Sequence, residues 1–292
     1  MIFKKIERIL PPIEPNWVGN GFRMHNFFPS GYRISRMMSP FFLMDYNSKI
    51  ELSPSDEPRG VGAHPHKGFE TVTVVYHGKI AHEDSKGNKG VVGPGGIQWM
   101  TAGGGLLHKE FHEESFQKSG GTFQMVQLWV NLPAKFKHVE PSYQDITHED
   151  KGVFTTDDGA VKIFLIAGEY QGVKGPARTY SRINLFDIIM KKGSSHHLTL
   201  PPLSNTGLLL VEGKVELNDG EVQEKDHFAL FKPTEDSEAI KIKALEDSRL
   251  LLLDGDPINE PVAQYGPFLM NTHEELQEAI QEFQAGKYGV LN

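Results

Sequence analysis

Strand-like alternation of apolar and polar positions recurs along this chain, and helical spacing shows clearly near its C-terminus. In Thr71-Val72-Thr73-Val74-Val75-Tyr76 the β-branched and aromatic residues suit a strand, with Val72, Val74 and Tyr76 on one face. Residues 208–211 and 250–253 are short continuous apolar runs of core-strand length. Tyr76-His77-Gly78-Lys79-Ile80-Ala81-His82-Glu83-Asp84 is echoed by Val211-Glu212-Gly213-Lys214-Val215-Glu216-Leu217-Asn218-Asp219, 135 residues later. Each copy follows strand formers, turns at Gly-Lys, forms a second strand and meets another turn: Asp84-Ser85-Lys86-Gly87-Asn88 or Asn218-Asp219-Gly220. Two copies of one antiparallel β unit are expected, each a sandwich or barrel. The boundary falls within residues 137–160, where His148-Glu149-Asp150-Lys151-Gly152 and Asp157-Asp158-Gly159 interrupt the strands. We place it so that residues 1–145 and 146–292 form the two domains. Thr272 and Glu275 fit a capping box, and Leu276, Ala279, Ile280 and Phe283 follow helical spacing up to Gly286. That helix is expected to end the second domain and pack its apolar stripe on a barrel.

The 292 residues suffice for two ordinary domains, and 38% hydrophobic content supports a sizeable core. Thirty glycines and 18 prolines agree with a turn-rich β architecture. Cysteine is absent, so any metal ligand has to be nitrogen or oxygen. The N-terminal stretch MIFKKIERILPPIEP has no apolar run behind its lysines and fails as a signal peptide. No apolar run is long enough to span a membrane. These features lead us to expect a cytoplasmic monomer. The net charge is −8, and Lys135 and Lys137 form only a small basic cluster, which disfavours direct nucleic-acid binding.

Two histidine-bearing motifs carry the chemistry. They are His64-Pro65-His66-Lys67-Gly68-Phe69-Glu70 and Gln98-Trp99-Met100-Thr101-Ala102-Gly103-Gly104-Gly105-Leu106-Leu107-His108-Lys109-Glu110. Each offers two potential ligands two residues apart, which on a strand share a face at a separation of about 7 Å. On neighbouring strands, three imidazoles and a carboxylate would converge as a mononuclear metal site. Read as one unbroken strand, the first motif puts His64, His66, Glu70 and Val72 on one face, so Glu70 competes with Glu110 as the acidic ligand. Its bland role is a hydrogen bond or ion pair at the base of the site. His112, four residues past His108, would chelate only on a helix, which the flanking glycines disfavour. His25, His77, His82, His138, His148, His227 and His273 read as surface or satisfied core residues. His196 and His197 are adjacent and face opposite ways. In the second copy the repeat offset sets Thr199, Pro201 and Asn205 against His64, His66 and Glu70, so one metal per chain is expected.

At these residues the chain resembles the pirin family of the cupin superfamily, in its bacterial type. The strings HPHKGFETVTVV and QWMTAGGGLLHKE carry the resemblance. So do Gln127-Leu128-Trp129-Val130-Asn131-Leu132-Pro133 and Tyr265-Gly266-Pro267-Phe268-Leu269-Met270-Asn271-Thr272, and the likeness runs from about residue 15 to the C-terminus. It implies an all-β fold of two tandem cupin barrels (double-stranded β-helix, or jelly-roll), followed by the short helix. It also implies one divalent metal in the N-terminal barrel, held by His64, His66, His108 and Glu110, with Glu70 behind the ligands. Fe(II) is the first expectation; Mn, Co, Ni, Cu or Zn would accept the same donors. Glycines stand two and four residues before His64, a departure from the general cupin pattern shared with pirins. Gly104 replaces a larger residue of many pirins, which is expected to widen the pocket mouth.

The resemblance implies quercetin 2,3-dioxygenase chemistry, in which a flavonol is opened by O₂ with loss of carbon monoxide. Glu110 or Glu70 is expected to take the hydroxyl proton, with Glu110 preferred because a carboxylate ligand can swing off the metal. The rival implied role is a non-enzymatic, iron-dependent redox-sensing transcriptional co-regulator acting through a protein partner.

Overall fold

The computed structural model describes residues 1–291, which form two compact β units. One comprises residues 14–33, 41–148 and 258 onward; the other comprises residues 1–13, 34–40 and 149–257. The expected division at 145/146 therefore differs at both ends of the chain. The strand Ile6–Leu10 pairs antiparallel with Phe228–Phe231 and closes the second barrel. The helix His273–Gln284 packs in the first unit, with Leu276, Ala279 and Tyr288 clustering on Ala263, Phe268 and Met270. Long-range strand pairing and apolar burial override sequence proximity here.

Each unit has a seven-stranded and a four-stranded sheet, in corresponding order. In the first, the large sheet runs Ser142–Ile146, Ile97–Thr101, Phe69–His77, Gly121–Asn131, Phe41–Leu52, Phe22–Phe28, Asn16–Val18. Its small sheet runs Gly60–His66, Leu106–His112, Ile80–Asp84, Lys89–Val92. The second unit repeats this as Ile6–Leu10, Phe228–Phe231, Asn205–Glu212, Ser248–Gly255, Ile183–Met190, Val161–Ala167, Gly152–Thr155. Its small sheet is Ser195–Thr199, Ala239–Ala244, Lys214–Leu217, Glu221–Glu224. The duplication is complete at the level of strand order, and both units are cupin barrels. Gly78 and Gly213, the equivalent hairpin glycines, have nearly equal positive φ of 84° and 85°.

The interiors differ. Leu198, Leu200, Ile240 and Ile242 lie buried in the apolar cluster that fills the second barrel, while Thr199 faces out. By facing direction, Leu198 and Leu200 stand where His64 and His66 do. The expected match to Thr199 and Pro201 is thus off by one. The connection to the following strand spans residues 200–204 in the second barrel and only Lys67–Gly68 in the first, which shifts the register. Hydrocarbon occupies the positions that correspond to His64 and His66. In the first barrel, Phe22, Met24, Val75, Ile80, Val92, Phe123 and Met125 form an apolar floor, and polar residues lie above it.

Candidate metal centre

The strand Leu106–His112 alternates strictly: Leu106, His108, Glu110 and His112 are buried, and the residues between them are partly exposed. Its β conformation excludes the helical His108/His112 pair. On one side it pairs with Gly60–His66, setting His108 opposite His64 and Leu106 opposite His66. On the other it pairs with Ile80–Asp84, setting His108 opposite Asp84 and Glu110 opposite His82. The two ligand motifs therefore lie on neighbouring strands.

Three imidazoles converge. Ring centroids are 4.8 Å apart for His64 and His66, 4.3 Å for His64 and His108, and 4.7 Å for His66 and His108. His64 Nδ1 lies 2.8 Å from the Gly62 carbonyl, and His66 Nδ1 lies 3.4 Å from that of Pro267, leaving each Nε2 uncommitted. His108 is 1% exposed, and neither of its ring nitrogens has a hydrogen-bond partner. Such burial is costly unless something accepts the lone pair. Burial pushes the His66 and His108 pKa values well below the usual range, and the neighbouring imidazoles reinforce the shift. Both rings are thus neutral, the form that binds metal.

Glu110 is also buried. Its Oε2 accepts a 2.9 Å hydrogen bond from Gln127 Nε2, and its Oε1 a long one, 3.4 Å, from Thr73 Oγ1. The donor atoms form two overlapping groups, each within 4.8 Å: His64, His66 and His108, and His82, His108 and Glu110. His108 belongs to both; Glu110 is not grouped with His64 and His66. Nitrogen and carboxylate donors of this kind fit a divalent transition ion.

His82 is the residue that sequence reading passed over. It is 5% exposed, 5.4 Å from the His108 ring, stacked on Tyr143 at 5.0 Å, and its Nε2 is 3.6 Å from Asp84 Oδ2. The His82-x-Asp84 spacing was the available signal, since it repeats the two-residue periodicity of the ligand motifs. Thr73 and Gln127, which hold Glu110, were legible only as strand residues.

Glu70 is placed differently from expectation. Gly68, at φ +88°, follows the strand that bears His64 and His66, and Phe69–His77 begins afresh in the other sheet. Parity does not carry across that turn. Thr73 reaches Glu110, so Glu70, three residues earlier on a regularly paired strand, lies on the opposite face. There it accepts a 2.7 Å hydrogen bond from Thr101 Oγ1, and burial pushes its carboxyl up to about 7. It does not stand behind the histidine cluster. A Cβ at Gly104 would meet the backbone carbonyl oxygens of His138 and Val139 at 3.4 and 3.5 Å. His112 is a packing residue: its Nε2 is 3.0 Å from the Gly21 carbonyl and its ring lies 4.6 Å from Phe123. His196 pairs with the Tyr170 hydroxyl at 2.9 Å, and His197 meets Phe3 edge-on.

Fold and site together define a two-barrel cupin protein with a buried histidine cluster in one barrel. The family model Pirin matches residues 21–130, and Pirin C-terminal cupin domain matches residues 185–289. A Pseudomonas aeruginosa protein named "Putative quercetin 2,3-dioxygenase" is 40% identical over 285 residues, covering 98% of both chains. The crystal structure of a quercetin 2,3-dioxygenase from Acinetobacter baumannii is 42% identical, with a TM-score of 0.93, covering 99% of this chain and 100% of that one. A bacterial pirin from Escherichia coli in complex with nickel(II) shares the fold at 22% identity, with a TM-score of 0.64 over 86% of this chain and 99% of that one. The chain belongs to the pirin family. No helix among the described residues is long and apolar enough to cross a membrane.

Proposed function

We propose that this chain is a metal-dependent dioxygenase that opens a flavonol such as quercetin with O₂ and releases carbon monoxide. The observation that carries the reading is His108: a buried, neutral imidazole with two unpartnered nitrogens, centred between two histidines and a carboxylate. Near-full-length identity to proteins named for this activity supports it.

His64, His66, His108 and Glu110 would hold one divalent ion, with Fe(II) the leading choice. When bound, such an ion supplies a lowered pKa for a substrate hydroxyl and redox contact with dioxygen. The protein's own part is positional and electrostatic. Burial of His66, His108 and Glu110 holds these side chains out of bulk water. Glu110 takes the substrate's hydroxyl proton on a carboxylate oxygen, while Gln127 and Thr73 limit where that oxygen can swing.

The test is to assay the purified chain for metal, then follow quercetin absorbance with and without air and detect carbon monoxide. Turnover should need O₂, disappear on chelation and return with Fe(II) or another redox-capable ion. Zn(II), which has no redox chemistry, should bind without restoring it. A metal-loaded chain that turns over no flavonol refutes the activity.

A further inference from the structure

The barrel wall beside the cluster shows an exposure pattern that packing alone does not explain. On Gly121–Asn131, Val126, Leu128 and Val130 are buried, whereas Gln127 and Trp129, on the opposite face, are partly exposed. On Phe41–Leu52, Met44 and Tyr46 are buried, whereas Leu43 and Asp45 are partly exposed. Asn26 repeats the pattern on Phe22–Phe28. The register joins these into one patch: Gln127 lies opposite Asp45, Trp129 opposite Leu43, and Asn26 opposite Asp45. Gln127 reaches Glu110, and the Trp129 ring stands 5.3 Å from His66. The exposed patch is therefore on the concave face and leads to the histidine cluster.

Its chemistry is specific. Glu110, when ionised, only accepts hydrogen bonds, so the Gln127 amide presents Nε2 to it and turns Oε1 away. Asn26 Nδ2 donates to Asp45 Oδ1 at 2.6 Å, and Asn26 Oδ1 is occupied by the Ser30 and Gly31 amides at 2.9 and 3.2 Å. Asp45 is thus pinned by one oxygen, leaving Oδ2 available. Two acceptors, Asp45 Oδ2 and Gln127 Oε1, project from directly opposed positions, beside the flat apolar surface of Trp129 and Leu43. We propose that this patch is the specificity subsite for a planar polyphenol. Vicinal phenolic hydroxyls donate to Asp45 and Gln127 while the ring lies on Trp129. The assignment rests on the flavonol reading above and names the end of the substrate remote from the metal.

The test uses Zn(II)-loaded protein at pH 8, where the Asp45 carboxyl, raised by burial to about 6, is ionised. Binding of quercetin is compared with galangin, the same flavonol without the two vicinal hydroxyls. Wild type should prefer quercetin by about tenfold or more, the scale of a hydrogen bond to a charged acceptor. Asp45→Asn and Asp45→Ala should bring the two affinities together, with galangin and Zn(II) binding unchanged. A wild type that binds both flavonols equally, or variants that weaken both alike, overturns the subsite while leaving the flavonol reading intact. A wild type that binds neither overturns both.

Discussion

Gly68→Ala should unseat the segment that follows the second barrel. Gly68 has φ +88°, and a Cβ there would sit 2.1 Å from the Leu269 carbonyl oxygen and 2.7 Å from Met270 Sδ. That carbonyl accepts 2.7 Å from the buried Lys137 Nζ, which also donates to the Gly68 carbonyl and Asn131 Oδ1, each at 2.8 Å. The Leu269 amide in turn donates to the Lys67 carbonyl at 3.1 Å. The positive φ alone costs an alanine about 1 kcal/mol. Loosening one charge-assisted and one neutral hydrogen bond adds about 2–4 kcal/mol. Gly87 supplies the control: its φ is also +88°, and no atom lies within 4 Å of its Cβ position. Gly87→Ala should therefore show the conformational cost alone. Urea unfolding followed by tryptophan fluorescence suits the comparison, because Trp17, Trp99 and Trp129 all lie in the unit that holds the histidine cluster. Gly68→Ala should be less stable than Gly87→Ala by at least about 2 kcal/mol. Equal stability of the two variants would refute the claim that residues 268–270 brace the turn beyond His66.

His64→Ala/His108→Ala should abolish metal retention, and elemental analysis of the wild type should give one tightly bound ion; two would contradict the single-site reading. Glu110→Gln should weaken metal affinity more than Glu70→Gln in a competition titration, the reverse order reassigning the acidic ligand. Glu70, raised from 4.5 to about 7 by burial, holds a proton in the folded chain that the unfolded chain releases between those values. The stability this contributes is present below about pH 4.5 and is lost as pH rises through 7, by about 3 kcal/mol in all. Glu70→Gln should flatten the stability profile between about pH 5 and 7.5, and an unchanged profile would disprove that account.

The strands, the duplication and the terminal helix were legible because alternation, turn glycines and a capping box are local signals. Thr272 and Glu275 do form the reciprocal cap. The histidine convergence was legible for the same reason, since two-residue spacing survives wherever a strand does. Glu70 was misplaced because one glycine with positive φ resets the parity, and the residue letters do not show the angle. His82 was passed over because its importance comes from lying opposite Glu110, a partner 28 positions away. The exchange of terminal segments was invisible locally. Its causes are the pairing of Ile6–Leu10 with Phe228–Phe231 and the packing of Tyr288 against Gly105, where a Cβ would lie 2.3 Å from the ring.

That exchange has a consequence on the ribosome. The edge strand Ile6–Leu10 of the second barrel is translated early, and its partner, Phe228–Phe231, emerges more than 200 residues later. The strands bearing His64, His66 and His108 emerge early, but the carbonyl beside His66 belongs to Pro267, translated after the entire second barrel. Neither half of the nascent chain can finish without waiting for the other. Until residues 258–288 arrive, the apolar surface they cover near Leu107 stays open to misassociation, a window in which a chaperone has something to hold. Metal captured before that point would meet a His66 without its backbone anchor. The His66 ring would thus gain its Pro267 contact only at a late stage of synthesis.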